Sequence, residues 1–214
     1  MFDAVLFDLD GTLTNPFEGI TGGVLYALER LGYALPQRSD LVSFIGPPLF
    51  DEFSRRFNMD AQTADEAVRL YREYYMDCGI YENELLDGAQ ELLAALCAVG
   101  KRVCLATSKP EPMARKILER FDLLKYFDYV GAASLDGSVS AKADVVRLVL
   151  DKTKADKNKC ILVGDRCYDI DGAHAAGIKC AAVLCGFGSR EEFESHAAEY
   201  ICSDLFEVKE LLNC

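Results

Sequence analysis

The stretch Ala4-Val5-Leu6-Phe7-Asp8-Leu9-Asp10-Gly11-Thr12-Leu13 decides how the rest of the chain is read. Its apolar opening predicts a buried strand over Ala4 to Phe7, and the two aspartates fall where that strand should end. Side chains along an extended segment alternate, so Asp8 and Asp10 point the same way and can converge on one ligand. Such a pair suits a cation and the transfer of a phosphoryl group. Gly11 allows a tight turn or a close approach of the backbone to that ligand. A hairpin turn at Asp10-Gly11 is the competing reading, although the strand it requires is cut short at Asn15-Pro16.

The 214 residues can bury a full core, as one large domain or as a core with a smaller partner. Half are hydrophobic, and 23 basic against 35 acidic side chains leave a net charge of −12. That balance disfavours a nucleic-acid partner, whose phosphates demand Lys and Arg. An anionic small substrate is compatible with it, provided a local cation offsets the acidic field. Nine cysteines, an odd number without a C-x-x-C pair, lie in runs such as Val103-Cys104-Leu105 and read as reduced core residues of a cytoplasmic protein. The first strand begins almost at Met1 with no basic leader, and no apolar stretch approaches bilayer length, so neither secretion nor a membrane partner is expected.

Short apolar runs recur at Ala4 to Phe7, Arg102 to Ala106, Tyr129-Val130, Cys160 to Val163 and Ala181 to Leu184, separated by sequence of helical period. The alternation predicts an α/β fold, a doubly wound parallel sheet with helices on both faces. Met113, Ile117, Leu118 and Phe121 form one core-facing stripe, and Val145, Val146, Val149 and Leu150 another. The anomaly is the first crossover, where about 90 residues separate Gly11 from Lys101 although a dozen would suffice. We expect an inserted unit over residues 15–82, with 1–14 and 83–214 forming the core. Within it Ile20, Val24, Leu28 and Leu31 make a helical stripe ended by Gly32. Thr63 to Glu66 reads as a capping box opening a helix that carries Val68, Tyr71, Tyr75 and Cys78. Phe44-Ile45-Gly46-Pro47-Pro48-Leu49 breaks the helical pattern.

Ligands in doubly wound sheets sit beyond the carboxyl ends of the strands. Three further clusters should reach that edge. Thr107 and Ser108 follow the second strand and offer hydroxyls and amides to phosphoryl oxygens, while Ser108 alone fits a helix N-cap equally well. Gly164-Asp165-Arg166-Cys167-Tyr168-Asp169 follows the fourth strand and adds two carboxylates, unless it is only an acidic turn. Lys142, the sole basic residue between Lys125 and Arg147, stands at the predicted start of a helix; an isolated lysine there is ordinarily a surface group. Gathering Asp8, Asp10, Asp165 and Asp169 in one crevice is repulsive without a divalent cation, and an all-oxygen ligand set favours magnesium.

In this order, Asp8 to Leu13, Thr107, Lys142 and Gly164 to Asp169 resemble the four motifs of the haloacid dehalogenase-like (HAD) superfamily, over nearly the whole chain. The helical insertion and Asp87 to Leu93 resemble its phosphoglycolate phosphatase-like subgroup. The resemblance implies a magnesium-dependent phosphatase acting on a small phosphorylated metabolite: a phosphoglycolate-like, nucleotide or sugar phosphate. Asp8 would be the nucleophile, Asp10 the acid and base, and Thr107, Ser108 and Lys142 the phosphate holders. Asp8, the carbonyl of Asp10 and Asp165 would hold the metal, with Asp169 orienting Lys142 or a metal-bound water. It further implies a cap whose specificity loop matches Phe44 to Leu49, with Gly46 and Pro47. Arg166 stands where the subgroup has a small residue and is a candidate for substrate selection; Arg55 and Arg56 read as substrate contacts or surface charges, and His174 and His196 have no matching role. Ser108 in place of Asn, and the absence of a proline after Lys142, also depart from the subgroup.

Three other readings share parts of this pattern. A sugar phosphomutase would return the phosphoryl group to a sugar, a difference visible in the products. A phospho-receiver module is shorter, lacks the insert and carries its acceptor later in the chain. A binding protein that has lost catalysis would bind ligand without metal and without hydrolysis.

Overall fold

The computed structural model describes residues 2–135 and 138–214. Strand β1 (Ala4–Phe7) is buried along its whole length, as a central strand covered on both faces must be. Short β2 (Thr14–Asn15) and β3 (Glu84–Leu85) pair with each other. The main sheet adds β4 (Arg102–Pro110), β5 (Tyr129–Ala133), β6 (Cys160–Gly164), β7 (Lys179–Val183) and β8 (Tyr200–Cys202) in the order β5-β4-β1-β6-β7-β8. Every pairing in it is parallel, with Phe7 of β1 level with Leu105 of β4 and Val163 of β6. The chain builds outward from β1 on one side and then returns to build on the other. The ends of β1, β4 and β6 therefore meet at a reversal of strand order, where open α/β sheets place their ligands.

Helices α1 (Phe17–Arg30), α2 (Leu49–Phe57) and α3 (Ala61–Asp77) precede β3, and α4 (Ala89–Ala98) follows it. The remaining helices are α5 (Glu111–Arg120), α6 (Lys142–Thr153), α7 (Cys167–Ala176), α8 (Arg190–Ser195) and α9 (Leu205–Leu212). On one face of the sheet Leu6, Cys104 and Leu162 pack with Val145, Val146 and Val149 of α6, Ile170 and Ala173 of α7 and Phe193 of α8. Val5 and Phe7 alternate to the opposite face, where α4 packs against β4 and α9, and α5 against β4 and β5. The chain divides into two compact units, one of residues up to Asn15 together with Leu85–Cys214, the other of Pro16–Glu84.

In the second unit α1 packs on α3, and α2 on α3. The close approach needs glycine: a Cβ at Gly23 would meet Tyr71 Cδ2 at 2.8 Å. Phe44 and Phe53 lie edge to face at 4.9 Å, and the break at Gly46 to Pro48 separates a 3₁₀ turn (Arg38–Phe44) from α2. Among the described residues no helix is long and apolar enough to cross a membrane.

Several expectations need correction. Thr63 does not cap α3; Asp60 does, its Oδ1 accepting the Thr63 N–H at 2.8 Å, because the helix starts two residues before Thr63. Cys78 ends α3 exposed, so it is no part of the core stripe. Only Cys104, Cys160, Cys180 and Cys202 are buried, whereas Cys78 and Cys97 are exposed and the rest half-buried, so the cysteines are not uniformly core residues. Strand β8 was not anticipated: Tyr200-Ile201-Cys202 is short and, on the sheet's edge, only partly buried.

Candidate active site

The end of β1 is anchored before it reaches the site, since the Asp8 N–H donates to Val163 O of β6 at 2.9 Å. Beyond Asp8 the chain turns sharply: Leu9 O accepts from Leu13 N at 2.9 Å and Thr14 N at 3.0 Å, and Gly11 N donates to Thr14 O at 2.7 Å. Gly11 sits at φ +88°, and a Cβ there would lie 2.2 Å from Asp165 Oδ2. Glycine is therefore required twice, for the backbone angle and for the space.

Strand β4 delivers its residues through an irregularity. Thr107 pairs with Ala132 and Pro110 with Ala133, so Ser108 and Lys109 are extra residues bulged out of the ladder, a device that re-aims side chains. Thr107 is buried and its Oγ1 accepts the Lys109 N–H at 3.2 Å. Helix α5 begins at Glu111 behind Pro110, so Ser108 is not its cap. The freed Lys109 side chain is buried and donates from Nζ to Asp10 Oδ2 at 2.5 Å.

Lys142 opens α6 and is buried, not surface-exposed. Its Nζ donates to Asp8 Oδ1 at 2.6 Å and to Ala106 O at 3.0 Å, and pairs with Asp169 Oδ1 at 2.9 Å. Burial pulls its pKa down, but Asp169 and Asp8 outweigh burial and hold it above the ordinary lysine value. The β6–α7 junction supplies the acids. Asp169 Oδ2 accepts the N–H groups of Asp165 at 3.2 Å and Arg166 at 3.1 Å, tying the carboxylate to the helix start. Asp165 is fully buried, accepting from Thr12 Oγ1 at 3.2 Å and from Phe187 N at 2.9 Å.

Asp8, Asp165 and Asp169 each present an oxygen within 4.8 Å of the others. Burial first, then the neighbouring carboxylates, raises Asp165 well above the usual carboxylate range. Burial likewise raises Asp169, with Lys142 opposing and Asp8 adding to the rise. Burial raises Asp10 too, partly offset by Lys109. Four carboxylates here face the two ammonium groups of Lys109 and Lys142, leaving an excess of two negative charges. An all-oxygen donor set with that deficit fits a hard divalent cation. The Asp10 carboxylate is outside the donor group, being held by Lys109; the resemblance assigns the metal only its backbone carbonyl.

Arg166 donates from Nε to Glu192 Oε1 at 3.1 Å, and the same oxygen accepts the Cys167 N–H at 2.7 Å. Gly46 and Pro47 lie in the helical unit, Gly46 exposed at φ +109°. Arg55 pairs with Glu52 at 2.8 Å and Arg56 donates to Ser43 Oγ at 3.2 Å. His174 lies 3.3 Å from Glu199, and His196 2.8 Å from Asp171.

The sequence reading missed Lys109, Thr12 and the turn at Phe187. A signal for Lys109 existed: it stands two residues after Thr107, and alternation alone puts i and i+2 on one side. Thr12 and the Phe187 amide carried none, because their partner Asp165 lies far away along the chain.

A parallel α/β sheet with a buried acidic, lysine-balanced cluster at its strand ends is a setting suited to a hard cation and a phosphoryl group. The chain belongs to the haloacid dehalogenase-like hydrolase family, whose model matches residues 5–183, and its enzyme class is that of the phosphoric monoester hydrolases. A 5'-nucleotidase of Pseudomonas aeruginosa is 41% identical over 208 residues, 97% of this chain and 94% of that protein. The tyrosine-protein kinase PtkA of Mycobacterium tuberculosis is 36% identical over 207 residues, 97% of this chain and 70% of that protein. The crystal structure of a predicted phosphatase from Clostridium acetobutylicum matches with a TM-score of 0.95 at 40% identity, covering 100% of both chains.

Proposed function

We propose that the protein is a magnesium-dependent phosphatase that hydrolyses a small phosphate monoester through an aspartyl phosphate on Asp8, with nucleoside 5'-monophosphates as the substrate class. The observation that carries the reading is Lys142 Nζ held between Asp8 Oδ1 and Asp169 Oδ1, with Asp165 beside them. The substrate class is supported by the 41% identity to a 5'-nucleotidase.

The free oxygen of Asp8 attacks phosphorus while Asp10 donates a proton to the departing alcohol oxygen, so one hard displacement becomes two easier ones. Asp10 then takes a proton from the water that releases phosphate. Burial raises Asp10 in the direction an acid requires. Thr107, Ser108 and Lys142 hold the phosphoryl oxygens. A magnesium ion held by Asp8, the Asp10 carbonyl and Asp165, with Asp169 beside it orienting Lys142 or a metal-bound water, would supply charge neutralisation for the phosphoryl group.

Residues Pro16–Glu84 serve as the cap, with Gly46 and Pro47 in its selecting loop and Arg166 as a further selecting group. The nine free cysteines support a reducing, cytoplasmic location.

Phosphate release from nucleoside monophosphates, sugar phosphates and phosphoglycolate, measured with magnesium and with chelator, tests the proposal. Activity should require the metal, be highest on a nucleoside monophosphate and vanish in Asp8→Asn. Mass spectrometry of acid-quenched wild-type enzyme should find one phosphoryl group on the peptide carrying Asp8. Full turnover by Asp8→Asn would sink the nucleophile assignment.

A further inference from the structure

A carboxyl group that gives a proton and later takes one at the same place works without reorganisation when one of its oxygens stays aimed at the reacting group. Rotation about the terminal bond of a free aspartate exchanges its two oxygens. At Asp10 the exchange is blocked from one side. Oδ2 is gripped by Lys109 Nζ at 2.5 Å, in a pair whose side chains are 6% and 13% exposed. Oδ1 is buried and finds no hydrogen-bond partner among the described residues. A buried acceptor is ordinarily satisfied, so an orphan beside a reaction centre marks where a partner group belongs. The Lys109 backbone is itself fixed by its N–H bond to Thr107 Oγ1 at 3.2 Å.

We infer that Lys109 is a positioning residue that holds Oδ2 and so dedicates Oδ1 of Asp10 to proton transfer. The inference rests on the proposed phosphatase reaction. In the first step an Asp8 oxygen bonds to phosphorus and the bond from phosphorus to the alcohol oxygen breaks. Its electron pair stays on that oxygen, which takes the proton from Oδ1. In the second step Oδ1 accepts a proton from water, the water oxygen bonds to phosphorus, and the electron pair of the broken bond returns to the Asp8 carboxylate. Lys109 remains an ammonium throughout.

The test compares kcat/KM for p-nitrophenyl phosphate, phenyl phosphate and ethyl phosphate in the wild type, Lys109→Met and Lys109→Arg, all with saturating magnesium. A leaving group as good as p-nitrophenolate needs no proton, whereas an alkoxide does. Lys109→Met should lose less than about 5-fold on p-nitrophenyl phosphate and on the order of 10²-fold on ethyl phosphate. Lys109→Arg should restore most of the ethyl phosphate rate. If Lys109→Met fails to fold, Lys109→Gln, a neutral donor of similar length, should show the same steepening in weaker form. A loss equal across the three esters, in whichever variant folds, would overturn the inference and leave the phosphatase reading intact. A wild type that cleaves none of them would overturn both.

Discussion

Gly172 of α7 abuts Lys142 of α6: a Cβ at Gly172 would come within 2.5 Å of Lys142 Cγ and 2.8 Å of its Cβ. The ammonium that reaches Asp8 thus depends on a missing methyl group one helix away. Gly172→Ala should favour helix formation by about 1 kcal/mol on intrinsic preference alone. Instead we expect no gain in thermal midpoint and a fall in kcat/KM of about 10-fold, because even small displacements of a catalytic group are costly. Unfolding curves and initial rates on the same preparation check both parts.

Lys142→Met should remove the ammonium that Asp8 and Asp169 share. Stripping one member from a buried ion pair costs about 3–5 kcal/mol. In chelator the urea midpoint should drop accordingly. Added magnesium should recover part of the loss but none of the phosphatase activity, since the proposed reaction needs Lys142 on the phosphoryl oxygens.

Asp165 and Asp169 lie above the ordinary carboxylate value of 3.8 in the folded chain, chiefly through burial. The native state therefore holds these protons more tightly than the unfolded state. Their contribution is complete below pH 3.8 and is lost as the pH climbs through the raised folded values. Without metal, the thermal midpoint should be lower at alkaline than at acidic pH. Magnesium, which favours the ionised carboxylates, should raise the midpoint more at the higher pH. Scanning fluorimetry with and without chelator measures the difference; equal metal-induced shifts at both pH values would refute it.

Arg166 stands beside a metal-binding candidate, yet its Nε is committed to Glu192 Oε1 at 3.1 Å. If that pair mainly braces the start of α7, Arg166→Ala should lower stability by about 1–3 kcal/mol and scale all substrates alike. If Arg166 selects substrates, KM should rise for some esters and not others. Steady-state constants over the substrate panel separate the two outcomes.

Much of the core was legible because its rules are local. The run Ala4 to Phe7 and the apolar stripes of α5 and α6 declare themselves by periodicity, and they are buried except for Phe121, which is half-buried just past the end of α5. Boundaries were less legible. Asp60 displaced Thr63 as the cap of α3 since capping depends on backbone angle, which neighbouring residues do not encode alone. Lys109 shares a side with Thr107 by alternation, but its meeting with Asp10 was not legible, because that pairing depends on the bulge between Thr107 and Pro110, which leaves almost no trace in composition.

By itself the sequence determined the alternation of strands and helices and the residue types able to handle a phosphoryl group. Those follow from side-chain periodicity and chemical identity, which are properties of each residue and its near neighbours. Only the tertiary structure decided which lysine meets which aspartate. Lys142 reaches Asp8 across 134 positions and Thr12 reaches Asp165 across 153, because parallel strand order and the space left by Gly11 and Gly172 fix those distances.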